Sequence, residues 1–101
     1  MIAFINTFTL RGDRSLFERQ VKEHEDFLRG QPGFGGFELT RSDLRPDEYI
    51  IVIQWRDAAS HRRLMSVREF QIQVTGLLMI ADVSCSPVDP NVAKADLARV
   101  V

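Results

Sequence analysis

The sequence predicts an α+β fold, a four-stranded antiparallel sheet with its helices on one face, and three observations carry that prediction. Hydrophobic spacing along the 101-residue chain switches between the strand and helix periods in the order β-α-β-β-α-β. The stretch "EYIIVIQW" is apolar at nearly every position, as a central strand buried on both faces would be. The short link "DLRPDE" in front of it joins two strands most simply as an antiparallel hairpin. For this order a split βαβ arrangement satisfies the connection rules best.

The first strand is "IAFINTFTL", residues 2–10, rich in β-branched and aromatic side chains. Alternation sets Ile2, Phe4, Asn6, Phe8 and Leu10 on one face and Ala3, Ile5, Thr7 and Thr9 on the other. "RGDRS" follows as a turn rather than an adhesion motif. Over residues 14–29, Leu16, Phe17, Val21, His24, Phe27 and Leu28 recur at helical spacing among charged residues. Asp13 or Ser15 can cap the start of this helix, and Gly30 followed by Pro32 ends it. Gly33, Gly35 and Gly36 come after a helix and open a strand, the reverse of a phosphate loop, so they read as a turn. The second strand is placed near residues 35–42, and the third at 48–55.

After Trp55 a second helical region begins, with Asp57 as its N-cap and Ser66 as a point where the run can break in two. Ala58, His61, Leu64, Met65, Phe70 and Val74 form its buried face, and Gly76 is expected to stop it. "LLMIADVSCSPV" supplies the last strand. One domain is expected over residues 1–88, with 89–101 as a tail, either a short helix lying on a partner or a loosely ordered end.

Composition narrows the function classes. Hydrophobic residues make up 45% and charged residues 27%, with a net charge of −1 and no basic run, so the electrostatic footprint of a nucleic-acid binder is missing. No apolar stretch reaches the length of a membrane span, and no secretion-type segment opens the chain. A single cysteine, Cys85, excludes an internal disulfide and fits a reducing, cytoplasmic location. With only two histidines besides, no structural metal site is expected. A sheet of this size with one apolar face left over is expected to be covered by a second copy, giving a homodimer.

Several side chains are candidates for chemistry. Asn6 is an amide among large apolar neighbours, and serves either a structural hydrogen bond or a ligand oxygen. Trp55 either fills the core or stacks on a flat aromatic ligand. His61, on the inner face of the second helical region, is either a packed residue or a proton acceptor with a near-neutral pKa. His24 poses the same choice on the first helix. Phe8, Met65 and Phe70 share these inward faces and are candidate ligand contacts. Arg62 and Arg63 read as solvated or dimer-contacting charges, and Cys85 as a buried small group. No serine–histidine–acid order, metal-ligand spacing or nucleotide loop is present. What remains is an apolar pocket with a few polar groups, suited to a flat, greasy ligand.

"INTFTL", "PGFGGFELTRS" and "YIIVIQWRDAASHRRLMSVREF" together resemble the antibiotic biosynthesis monooxygenase family, over about residues 2–86. The resemblance implies a ferredoxin-like fold assembled as a dimeric α/β barrel. It implies a monooxygenase that needs no cofactor, neither metal nor flavin, and oxidises an aromatic polyketide, phenol or anthrone with O2 to a quinone. In members resembling anthrone oxygenases, a tryptophan ending the third strand and a polar aromatic residue on the next helix line the pocket; by position these are Trp55 and His61. An arginine that some members carry further along has no counterpart, Val74 and Thr75 standing in that region. The haem-degrading branch shares an asparagine on the first strand, matched by Asn6. That branch also needs a tryptophan in the second helical region and a later histidine, and this sequence has neither. A cyclase or isomerase on the same scaffold and a non-catalytic small-molecule binder are the alternatives.

Overall fold

The computed structural model describes residues 1–88, with side chains to Cys85; the expected tail lies outside the described residues. The elements are β1 (Ile2–Leu10), α1 (Arg14–Arg29), β2 (Phe34–Arg41), β3 (Glu48–Trp55), α2 (Ala58–Met65), α3 (Arg68–Leu78) and β4 (Ala81–Val88). The strands form one sheet in the order β2-β3-β1-β4, antiparallel at every pairing. This is the ferredoxin-like α+β arrangement.

Register decides which residues meet. Asn6 lies opposite Ile51 of β3 and Cys85 of β4, and Phe8 opposite Tyr49 and Val83. The face carrying Phe4, Asn6 and Phe8 turns toward the helices. There Phe8, Phe17, Val21, Tyr49, Ile51 and Leu77 make one buried cluster, and Leu28, Trp55 and Leu64 a second. On the opposite sheet face, Ala3, Ile50 and Val52 cluster with Ile5 against them.

Local chemistry fixes the helices. Asp13 caps α1 by accepting a hydrogen bond from the Leu16 N–H at 3.1 Å, and Gly30 ends it. The hydroxyl of Tyr49 donates to Glu18 at 2.8 Å and accepts from Arg14 at 2.7 Å, which ties the first turn of α1 to the start of β3. Asp57 caps α2 through the Ser60 N–H at 2.8 Å and the Ser60 hydroxyl at 2.7 Å. Burying Leu64, 3% exposed, then holds α2 on the sheet with about 1.5–3 kcal/mol.

Three expectations are corrected. The second helical region does break at Ser66, which caps α2, but Gly76 does not end the helix that follows. α3 runs on to Leu78 because Leu77, 2% exposed, is drawn into the core, and tertiary burial outweighs glycine's poor propensity. The last strand consequently starts at Ala81, with Met79 and Ile80 in the turn before it. Cys85 is exposed rather than buried, because β4 is an edge strand.

Candidate functional site

Between the sheet and the helices lies a cavity of about 330 Å³, lined almost wholly by apolar side chains. All seven residues expected at a site reach its wall: Asn6 and Phe8 from β1, His24 from α1, Trp55 from β3, His61 and Met65 from α2, and Phe70 from α3. Periodicity explains the convergence, since each sits on the inward face of its element. The sequence reading had not marked the remaining wall as a site. It includes Phe4 on β1, Ile51 and Ile53 on β3, Leu64 on α2, Leu77 on α3, and Val83 and Cys85 on β4.

Trp55 is 1% exposed, with Phe34 edge-on at 5.8 Å between ring centroids. It is a packed wall of the cavity. His61 stacks on Phe4 at 3.8 Å between centroids and meets Trp55 edge-on at 6.3 Å. Partial burial lowers its pKa, leaving a neutral imidazole near neutral pH.

His24 is held differently. Its Nδ1 lies 2.7 Å from the Gln73 side-chain oxygen, and the Gln73 amide nitrogen donates to Glu69 at 3.3 Å. Burial lowers the His24 pKa, and the Gln73 hydrogen bond opposes that only in part. The sequence reading missed Gln73, although its position three residues after Phe70 and four before Leu77 marks it as polar on an inward stripe.

Two polar side chains of this wall differ from His24 in having no partner among the described residues. The side chains of Asn6 and His61 make no hydrogen bond to another described residue. The one sealed, unpaired side-chain N or O among the described residues is Gln20 Oε1. Asn6 and His61 both line the cavity, and neither is among the sealed unpaired groups. Among the described residues no three His, Cys, Asp or Glu side chains converge as metal ligands, and no helix is long and apolar enough to cross a membrane.

The family model for antibiotic biosynthesis monooxygenases matches residues 1–72. The chain belongs to the antibiotic biosynthesis monooxygenase family. Among family members of known activity, it is 29% identical over 76 residues to the deoxynogalonate monooxygenase of Streptomyces nogalater. That match takes in 75% of this chain but spans only 64% of the relative's length. The crystal structure of SnoaB, a cofactor-independent oxygenase from the same organism, superposes with a TM-score of 0.83 at 25% identity, covering 87% of this chain and 90% of that one. Rv0793 from Mycobacterium tuberculosis is similar in fold alone, with a TM-score of 0.78 at 16% identity over 88% of this chain and 93% of its own. The antibiotic biosynthesis monooxygenase scaffold expected from "IQWRDAASH" and its neighbours is thus the scaffold found.

Proposed function

We propose that the chain is a cofactor-independent monooxygenase that oxidises a planar phenol or anthrone with O2. The observation that carries this reading is the cavity itself, an apolar space whose wall includes Asn6, His24 and His61. The family and the similarity to SnoaB support it. His61 takes the proton from the activated O–H or C–H, its partial exposure letting it return that proton to water. The Asn6 amide donates to the oxyanion that forms, where a low-dielectric surrounding makes the hydrogen bond count most. Trp55 and Phe8 hold the ring plane, with Met65 and Phe70 closing around it.

The bound anion then passes one electron to O2, and the radical pair combines as a peroxide. Loss of water leaves a quinone, so anthrone and one O2 give anthraquinone and one water. The assembly that goes with this reading is a homodimer.

Turnover of anthrone under air and under nitrogen tests the reaction. The expected result is quinone formation above the protein-free rate in air and none under nitrogen. Equal turnover of a candidate substrate without oxygen would mark a cyclase or isomerase instead, and tight binding without turnover would mark a binding protein.

A further inference from the structure

We infer that Gln73 and Glu69 fix His24 as a one-way hydrogen-bond acceptor, so that this wall of the cavity selects aromatic ligands bearing a free hydroxyl. The inference rests on the reading of the cavity as the substrate site and specifies one contact within it.

An ionised carboxylate only accepts hydrogen bonds. The Glu69 oxygen 3.3 Å from the Gln73 amide nitrogen therefore sets which way that amide faces, with its oxygen toward His24. A carbonyl oxygen also only accepts, so the His24 Nδ1 at 2.7 Å must carry the hydrogen. In a neutral ring that leaves Nε2 with a bare lone pair. Nε2 has no partner among the described residues, and it is not among the sealed unpaired atoms. Since His24 belongs to the cavity wall, its lone pair faces the space a ligand would fill.

The two cavity histidines consequently differ in kind. His24 is 6% exposed and leans on a neutral amide, which orients a ring without compensating a positive charge. It holds a proton poorly and accepts a hydrogen bond well. His61 is more open and has no such support, which suits a group that must shed the proton it takes. A ligand that puts an ether or a ring C–H against Nε2 leaves a buried acceptor unpaired, and sites of that type discriminate strongly. A phenolic hydroxyl satisfies it.

Imidazole ¹⁵N NMR of the full chain tests this without turnover or oxygen. The free protein should show His24 with its hydrogen on Nδ1, and Gln73→Leu should give a mixture of tautomers. Adding 2-naphthol should move the His24 Nε2 resonance, while 2-methoxynaphthalene should leave it in place and bind about tenfold more weakly, with the preference lost in His24→Leu. A hydrogen on Nε2, an unchanged tautomer in Gln73→Leu, or no response to 2-naphthol would each overturn the inference. A failure of the oxygenase reading looks different, because it leaves these signals intact and abolishes only oxygen-dependent turnover.

Discussion

Substituting Gly33 by alanine should cost about 2–3 kcal/mol and displace the helix that carries His61. Gly33 has φ +83°, a conformation that costs an L side chain about 1–2 kcal/mol. A Cβ built there would sit 2.2 Å from the Ser60 hydroxyl and 2.5 Å from its Cβ. Ser60 cannot simply rotate away, since its hydroxyl and its N–H are both held by Asp57. Relief requires breaking that cap, about 1 kcal/mol, or sliding the first turn of α2 along the sheet. The backbone hydrogen bond from Arg56 to the Gly33 carbonyl, 2.7 Å, resists the slide. Urea unfolding measures the sum, and for a domain this size the melting temperature should fall by about 10–20 °C. In a Ser60→Gly background the same Gly33→Ala change should cost only the backbone share. A loss under about 0.5 kcal/mol, which is well below either share, would refute the argument. So would an identical loss in both backgrounds.

Acidification should destabilise the fold through His24. Its folded pKa lies below the unfolded value of 6.5, so the unfolded chain binds the proton first and stability, complete above that value, falls as the pH drops. Each unit below 6.5 costs up to about 1.4 kcal/mol until the folded pKa is reached. Denaturation between pH 5 and 6.5 should show this slope, and His24→Leu should reduce it to the share that His61, also lowered by burial, contributes; an unchanged slope refutes the assignment. Cys85, across the strand pair from Asn6, is an exposed residue that also lines the cavity, and partial desolvation there raises its thiol pKa, so it should react with a maleimide slowly at neutral pH. Bound 2-naphthol should slow the labelling further, and labelling indifferent to ligand would contradict a shared cavity. Light scattering should give twice the 11.6 kDa chain mass. A monomer would contradict the homodimer.

Much of this architecture was legible because periodicity and punctuation agree. The alternation of β1 assigns Phe4, Asn6 and Phe8 to one face, and Asp13 and Gly30 bracket α1 with matching cap chemistry. Those faces then converge on one cavity, which explains why the seven expected side chains meet. What escaped the sequence depends on packing across elements. Gly76 looks like a stop until Leu77 finds the core. Cys85 looks buried until β4 proves to be an edge. The Glu69–Gln73–His24 chain joins α3 to α1 across 49 positions between Gln73 and His24, and no local pattern announces it.

The kcat of His61→Ala in the anthrone oxygen assay, with a thermal melt beside it, bears most directly on the account. A proton acceptor contributes about 10²–10⁴-fold, so kcat should fall by that much while the melting temperature barely moves. Turnover within a few-fold of wild type, together with a clear loss of stability, would make His61 a packing residue and contradict the mechanism.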